Sequence, residues 1–160
     1  NDTANLTGTA GDENFAGGLG TANLGGVGFS LQMLSFETVN INGVSGLDIA
    51  RFTGSAGDDV FTSNPTGGQF TGPGFNLVTS NFDRHFATAG AGNDTANLTD
   101  SVGNDTFTGV GNEGTLSGTG FIQRATGFDT VNIFGINGGT NTLAITNPLA
   151  FNLVQIGIWT

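Results

Sequence analysis

Carboxylates that recur at fixed spacing are the residues of this sequence best suited to chemistry. Nine of the 13 acidic residues form a regular series, at positions 2, 13, 37, 48, 59, 83, 94, 105 and 129, in which two short steps enclose each long one. A glycine stands two residues before several of them, as in Gly57-Asp-Asp59 and Gly103-Asn-Asp105. Calcium suits carboxylate and carbonyl oxygens that are held in tight glycine turns. The candidate calcium ligands are therefore Asp48, Asp59, Asp94 and Asp105.

The same carboxylates have a second role open to them. An aspartate in a turn accepts hydrogen bonds from nearby backbone N–H groups. On this interpretation each acid closes its own turn, and no cofactor is required. On the first interpretation, calcium would relieve the repulsion between carboxylates that are stacked one coil apart. The sequence leaves both roles open.

Catalytic chemistry has little support in the sequence. His85 is the single histidine, and it falls at the place that Val39 and Val131 hold in the repeats on either side. That place points inward, so the imidazole is predicted to be a hydrogen-bonded core residue. Asp83-Arg84-His85 has no serine or cysteine at a spacing that would complete a triad. Paired carboxylates can hydrolyse glycosides, but such sites need special loops and the repeats carry no insertion, so we predict no enzyme activity.

The charge balance argues against several partners. The chain has a net charge of −10, with three arginines, no lysine and no cysteine. Arg51, Arg84 and Arg124 are scattered along the sequence, whereas nucleic acids and anionic membranes require clustered cations. No apolar stretch is long enough to span a bilayer, so no membrane insertion is expected. With one tryptophan and no tyrosine, an aromatic carbohydrate-binding face would be poorly equipped.

An internal repeat of 46 residues organises the chain. The pattern Asp-x-Ala-x-[Leu/Phe]-Thr recurs in that step and begins at Asp2, Asp48 and Asp94. Its variable positions are Thr and Asn in the first and third copies, and Ile and Arg in the second. The pattern Gly-x-Gly-Phe keeps the same step and ends at Phe29, Phe75 and Phe121. The chain is predicted to be one domain, 1–160, with units 1–46, 47–92 and 93–138 and a partial repeat over 139–160.

Strand periodicity fits the repeat better than helical periodicity. Apolar residues alternate with Thr and Asn, and the glycine content of 29 in 160 residues disfavours helix. Each unit divides into four segments of nearly equal length, each a strand and a turn. In the third unit the predicted strands are Thr95–Thr99, Thr106–Val110, Thr115–Phe121 and Thr130–Ile136.

Stacking of such units predicts an all-β fold, a parallel β-solenoid or β-helix of about three 46-residue repeats. Two segments, half of a repeat, would form one coil of plausible length, and one large coil for each 46-residue repeat is the alternative. Coils would stack about 4.8 Å apart. Like residues would then lie on like residues. The two predicted internal stacks are Phe15, Phe61, Phe107 and Phe29, Phe75, Phe121. A β-sandwich is the alternative, because it also contains short strands at this spacing.

Residues 139–160 depart from the repeat. The next position of the acidic series is Thr140, and the segment from Pro148 onward is apolar on both faces. It is predicted either to cap the last coil or to pair with another copy, because an unpaired apolar strand is a docking site. Its partner would be Thr3–Thr7 of the next copy, which gives head-to-tail contacts. The predicted assembly residues are Phe151, Leu153, Val154, Ile156, Ile158 and Trp159.

The third unit resembles known repeats. It contains Asn93-Asp-Thr-Ala-Asn-Leu-Thr-Asp-Ser-Val-Gly-Asn-Asp-Thr-Phe107, Gly118-Thr-Gly-Phe121 and Gly127-Phe-Asp-Thr-Val131. These strings are similar to repeats of very large bacterial surface proteins, notably those of planctomycetes. The resemblance implies extracellular or cell-surface placement and a structural or adhesive role. Gly57-Asp-Asp59-Val-Phe61 is also similar to calcium-binding RTX-type nonapeptide repeats, although the acids of this chain are spaced more widely than in a nonapeptide.

The sequence therefore predicts a non-enzymatic extracellular structural repeat protein, a subunit or module of a bacterial surface filament assembled head to tail. Its partners would be further copies of itself or neighbouring repeats of a longer chain. The alternative is a calcium-stabilised adhesin or a glycan-binding surface module. Sequons of the form Asn-x-Thr add candidate glycan attachment sites at Asn5, Asn97 and Asn104.

Overall fold

The protein, described over residues 1–160 by a computed structural model, is an all-β solenoid that winds through about four turns. Its 17 strands are β1 Thr3–Thr7, β2 Asn14–Gly18, β3 Thr21–Gly26, β4 Phe29–Leu34, β5 Thr38–Asn42, β6 Ile49–Thr53, β7 Val60–Asn64, β8 Gly67–Gly72, β9 Phe75–Ser80, β10 Arg84–Thr88, β11 Thr95–Thr99, β12 Thr106–Gly111, β13 Glu113–Gly118, β14 Phe121–Thr126, β15 Thr130–Gly135, β16 Thr142–Leu149 and β17 Asn152–Gly157. No helix has the length and apolar character needed to cross a bilayer.

The strands form two sheets that face each other across one core. Sheet A contains eight strands in the order β1-β5-β9-β8-β7-β11-β15-β17. Sheet B contains nine strands in the order β16-β12-β13-β14-β10-β6-β2-β3-β4. Strands of successive turns pair parallel in both sheets, which is the predicted solenoid and not the β-sandwich alternative.

Alternation along each strand builds the core. In β11 the side chains of Ala96 and Leu98 are fully buried, while the Thr and Asn residues between them face outward. Burial of a side chain such as Leu98 contributes about 1.5–3 kcal/mol. The inward residues of both sheets meet in one cluster: the ring of Phe52 in sheet B lies 5.7 Å from that of Phe61 in sheet A.

The third predicted segment of each unit is wrong in one respect. Thr115–Phe121 is not a single strand, because the chain turns at Thr119-Gly120 between β13 and β14. Gly120 has a φ of +83°, which a type II turn requires at its third position, and Gly28 and Gly74 do the same in the other units. Each unit therefore contains five strands, three of which form an antiparallel meander.

The meander sets the length of a turn. Partners such as Asn97 and Asn132 lie 35 residues apart, which is longer than the predicted coil of half a repeat, because one meander is inserted between most parallel partners. The final turn has no meander, and there Thr130 pairs with Asn152 after a much shorter stretch of chain. The prediction of a two-segment coil holds only for this last turn.

Each unit makes three crossings between the sheets, and this odd number places successive units on opposite sheets. The first strand of the unit lies in sheet A for β1 and β11 but in sheet B for β6. Equivalent positions of successive units therefore do not pair with each other, and the predicted phenylalanine stacks are wrong. Phe15 pairs across the sheet with Ala50, and Phe61 pairs with Ala96. Phe29, Phe75 and Phe121 begin strands β4, β9 and β14, which are not neighbours.

Candidate functional site

The nine periodic acids mark the corners of the solenoid. Each one immediately precedes a strand, and for all except Asp2, at the first strand, that strand follows a crossing from one sheet to the other. We call these nine residues the corner acids: Asp2, Glu13, Glu37, Asp48, Asp59, Asp83, Asp94, Asp105 and Asp129. At the next corner, before β16, the buried residue is Asn141.

Corner acids of successive turns are joined by hydrogen bonds. The backbone N–H of Glu13 donates to Oδ1 of Asp48 at 2.7 Å, across a separation of 35 residues. In the same way the N–H of Asp59 donates to Oδ1 of Asp94 at 2.7 Å, and the N–H of Asp94 donates to Oδ2 of Asp129 at 2.7 Å. The carboxylates thus continue the pairing of the sheets through the corners, where the backbone alone leaves donors unpaired.

The corner acids before the meanders also close their own turns. Asp59 accepts the backbone N–H of Ser55 at 2.6 Å and its hydroxyl at 2.9 Å. Asp105 accepts the N–H of Ser101 at 2.8 Å and its hydroxyl at 3.0 Å. Turn closure is thus confirmed for these two residues. The serine four residues before each acid is the sequence feature that marks this closure.

Burial shifts the pKa of two corner acids. Desolvation raises the pKa of Asp48 and of Asp94 above its usual value, and neighbouring carboxylates of the same row raise it further. The bonds from the N–H groups of Glu13 and Asp59 act on the pKa in the opposite direction. At Asp48, Oδ2 is buried without a hydrogen-bond partner.

The four candidate calcium ligands do not converge. Asp48, Asp59, Asp94 and Asp105 are all buried, and their oxygens accept N–H or hydroxyl groups of the protein. No group of three or more His, Cys, Asp or Glu residues is arranged to hold a metal ion. Calcium binding by these residues stays a prediction.

His85 lies inside the core, as predicted from its place in the repeat. Its side chain is fully buried, and Nε2 lies 3.1 Å from the hydroxyl oxygen of Thr79. Its ring stacks parallel to that of Phe52, with centroids 6.5 Å apart. Burial lowers the pKa of His85 to about 4, so the imidazole is neutral at physiological pH.

The apolar tail folds onto its own chain as the last rung. Strand β17 pairs parallel with β15. Phe151 is buried, and Leu153 and Trp159 pack against the core. Ile156 and Ile158 are 37% and 76% exposed, and Val154 is half-buried. The edge of β17 that faces away from β15 has no partner strand.

The other end of the stack is also open. Its edge strands are β1 in sheet A and β4 in sheet B. Leu31 of β4 pairs across the sheet with the buried Leu24, yet it is 45% exposed because no further rung covers it. Ala4 and Leu6 of β1 are likewise only partly buried. The apolar core therefore reaches both ends of the solenoid.

Amide side chains form ladders on the outer face of sheet A. Nδ2 of Asn40 donates to Oδ1 of Asn5 at 2.8 Å, and Nδ2 of Asn132 donates to Oδ1 of Asn97 at 2.8 Å. Two of the sequon asparagines, Asn5 and Asn97, thus lie in these ladders. The third, Asn104, accepts the backbone N–H of Thr140 at 2.8 Å. Glycosylation at the three sites stays a prediction.

The three arginines are brought together, although the sequence scatters them. Arg51, Arg84 and Arg124 lie on the neighbouring strands β6, β10 and β14 of sheet B. The guanidinium carbon of Arg124 lies 4.6 Å from the ring centroid of Phe86, and that of Arg51 lies 5.7 Å from it. Sequence reasoning missed this cluster because it depends on which strands become neighbours.

Comparison with known proteins gave no match: no protein-family model, no curated protein and no solved structure is similar to this chain.

Proposed function

We propose that the chain is a non-catalytic structural module of an extracellular bacterial surface filament, joined end to end with further copies or with neighbouring repeats of a longer chain. The observation that carries this proposal is the open state of both ends. The core is apolar up to each end, and the edge strands β1, β4 and β17 have unpaired backbone groups. Such edges are templates for pairing with another strand.

Strand direction supports a joint between opposite ends. In sheet A, β1 runs parallel to β5, and β17 runs parallel to β15. Strand β8 is antiparallel to both of its neighbours, β9 and β7, so these two strands are parallel to each other. Strands β1 and β17 therefore point the same way. A second copy placed on β17 through its own β1 would therefore continue the parallel sheet. Contacts between unlike ends do not close on themselves and produce an open filament.

The regular edge of β17 favours sheet A as the main joint. Every residue of β17 pairs in register with β15. The edge of sheet B at the same end is β16, which contains Pro148 and has a register shift between Val110 and Gly111 of its partner. Proline and irregular pairing both disfavour addition of a strand. The joint would use Leu153 and Val154 of one copy and Leu6 of the next.

A structural role is also consistent with the buried state of the ionisable groups. His85 is fully buried, and the carboxylates of Asp59 and Asp105 are occupied by turn closure. The repeats continue without insertions that would build a pocket around such groups. The resemblance to bacterial surface repeats supports the extracellular placement.

Electron microscopy of the purified chain at neutral pH tests the proposal. Fibres of uniform width are expected. The double variant Ile156→Lys, Ile158→Lys should give discrete particles, because charge at an edge strand opposes pairing. Val60→Lys is the matched control: Val60 is 41% exposed on the same sheet but away from both edges, and fibres should persist.

Discrete particles of the unaltered chain at all concentrations would overturn the filament proposal. The same samples with millimolar calcium also test the alternative role of the corner acids. Fibres that form only with calcium would assign a metal to those corners and favour a calcium-stabilised surface module.

A further inference from the structure

The outer face of sheet B gathers every cationic side chain of the protein. The chain has three Arg and no Lys at a net charge of −10, and the three arginines lie on adjacent strands β6, β10 and β14. Apart from Glu113, no acidic residue lies in a strand, since the other acids are confined to the turns. The outer face of sheet A has no charged residue in its strands. A positive face on an acidic protein is a feature that solubility does not require.

We propose that this face, centred on Arg51, Phe86 and Arg124, binds an anionic polysaccharide whose carboxylate or sulfate groups pair with the arginines. The three residues form one row across the sheet, because Phe86 pairs with Arg51 on one side and with Arg124 on the other. Adjacent strands are about 4.8 Å apart, so the backbones of the two arginines, which lie two strands apart, are separated by about 10 Å. Arg84 stands on the same face, two residues before Phe86.

The ring of Phe86 holds the two guanidinium groups without using their hydrogen bonds. A stacked guanidinium keeps its N–H donors in its own plane, where they can form paired bonds to a carboxylate or sulfate. Arg51 donates through Nη1 to Oδ1 of Asn14 at 3.2 Å, and the remaining donors of that group are free. Arg124 forms a partly exposed ion pair with Glu113, with Nε 3.8 Å from Oε1, and its N–H donors make no hydrogen bond within the protein.

A groove on the same face extends the site beyond the arginines. It has a volume of about 630 Å³ and is lined mainly by small and hydroxyl- or amide-bearing residues, including Ala16, Asn23, Thr53 and Ser55. Ala16 pairs across the sheet with Arg51, so one wall of the groove lies next to the arginine row. Small side chains permit close approach of a polymer, and the hydroxyl and amide groups match sugar hydroxyls. The face thus joins a charged segment to a neutral polar one.

The surrounding acids favour a polymer with widely spaced charges. Apart from Glu113 the acids lie in turns, and a net charge of −10 opposes a densely charged partner such as nucleic acid. Three cations in one patch match a polysaccharide that carries single anionic groups between neutral sugars. Because the patch is on the side of the solenoid and not at its ends, binding does not depend on end-to-end assembly.

Isothermal titration of the full chain with polygalacturonate and with heparin tests the site, with neutral dextran as the control polymer. Binding of an anionic polymer that weakens as salt is raised is expected, since exposed charges are screened, and dextran should not bind. The double variant Arg51→Gln, Arg124→Gln should bind at least about tenfold more weakly, because each charge-assisted bond contributes substantially. Its thermal unfolding should match that of the unaltered chain within a few degrees.

A charge-restored variant separates the site from overall charge. Adding Val60→Arg and Thr62→Arg to the double variant returns the net charge to −10 but places the cations on sheet A, and binding should stay weak. Recovery of binding in this variant would overturn the proposal. It would also fail if neither polymer bound the unaltered chain, or if duplex DNA bound as tightly as the polysaccharides.

Discussion

Strand β10 of the second repeat holds the same place as β5 and β15 of the first and third, yet its side chains differ at every position. Strands β5 and β15 begin Thr-Val-Asn-Ile, whereas β10 reads Arg-His-Phe-Ala-Thr. Their surroundings explain the difference, because β5 and β15 lie in sheet A and β10 lies in sheet B. Equivalent positions of the repeat therefore lie in sheet A and sheet B alternately along the chain.

The two sheets differ in their side-chain contacts on both the outer and the inner face of these strands. Outside, Asn132 continues an amide ladder in sheet A, whereas Phe86 in sheet B lies between two arginines. Inside, Leu98 of sheet A pairs with Ile133, whereas Phe52 of sheet B pairs with Ala87. A large and a small side chain in one sheet replace two of medium size in the other. The repeat therefore keeps its strand positions in every copy, while the side-chain packing differs between the two sheets.

The largest effect is expected at the inner pair of sheet B. Phe52→Ala should lower the free energy of unfolding by about 4 kcal/mol, because it leaves a cavity among Phe15, Phe61 and Phe70. Urea denaturation followed by circular dichroism measures it. The double variant Phe52→Leu, Ala87→Ile imports the pair of sheet A and should recover part of the loss. A loss below about 1 kcal/mol for Phe52→Ala would contradict the packing comparison.

The second effect concerns pH and belongs to His85 alone, since its counterparts are Val39 and Val131. Burial lowers the pKa of His85 to about 4, whereas an unfolded histidine titrates near about 6.5. Between these values the unfolded chain binds a proton that the folded chain excludes. The free energy of unfolding should therefore fall by about 3 kcal/mol as pH drops from about 6.5 to about 4.

Denaturant titrations across this pH range measure the slope for the unaltered chain and for His85→Val, which carries the valine of the other two repeats. The fall in the free energy of unfolding between about pH 6.5 and pH 4 should be smaller by about 3 kcal/mol in the variant than in the unaltered chain. An unchanged slope in His85→Val would mean that another group controls the acid response.

A smaller effect is expected at the corner acids, where the two sheets should agree. Asp94→Ala should cost about 1–3 kcal/mol, because the N–H of Asp59 loses its acceptor. Asp48→Ala should behave alike in sheet B, through the N–H of Glu13. Thermal unfolding of both variants measures the loss. A loss in only one sheet would show that the corner rows are not equivalent.

Replacement by asparagine keeps the acceptor and removes the charge. Burial raises the pKa of Asp94, so the folded chain binds a proton there more readily than the unfolded chain does. The ionised carboxylate therefore reduces stability above the raised pKa, and this cost disappears as pH falls below the ordinary value. At neutral pH, Asp94→Asn should be more stable than Asp94→Ala and also more stable than the unaltered chain. Its advantage over the unaltered chain should be lost in acid.

The smallest effect is expected on the outer face of sheet A. Asn132→Ala removes one partly exposed amide bond to Asn97 and should cost about 0.5–1 kcal/mol, the net value of a single hydrogen bond. The midpoint of urea denaturation measures it. A loss above about 2 kcal/mol would show that the ladder acts cooperatively along the sheet.

Local features of the sequence predicted much of the strand pattern. Thr95–Thr99 was predicted with the bounds of β11, and each periodic acid stands immediately before a strand. The missed feature was the hairpin at Gly120, because the long interval between acids was divided into two strands where the chain makes three. For the candidate site, turn closure by Asp59 and Asp105 was among the predicted roles. The neighbouring-turn bonds to Asp48 and Asp94 were not, since they depend on the 35-residue register.

The repeat, the corners and the side of each strand that faces inward can be read from the amino-acid sequence, because these follow from local turn chemistry and a period of two residues. The sheet that receives each repeat, and the strands that become neighbours, are set by the long-range winding of the chain. Each repeat crosses three times between the sheets, an odd number, so each copy begins on the sheet opposite to the last. That long-range parity separates the phenylalanines predicted to stack, and it places Arg51, Phe86 and Arg124 in one row.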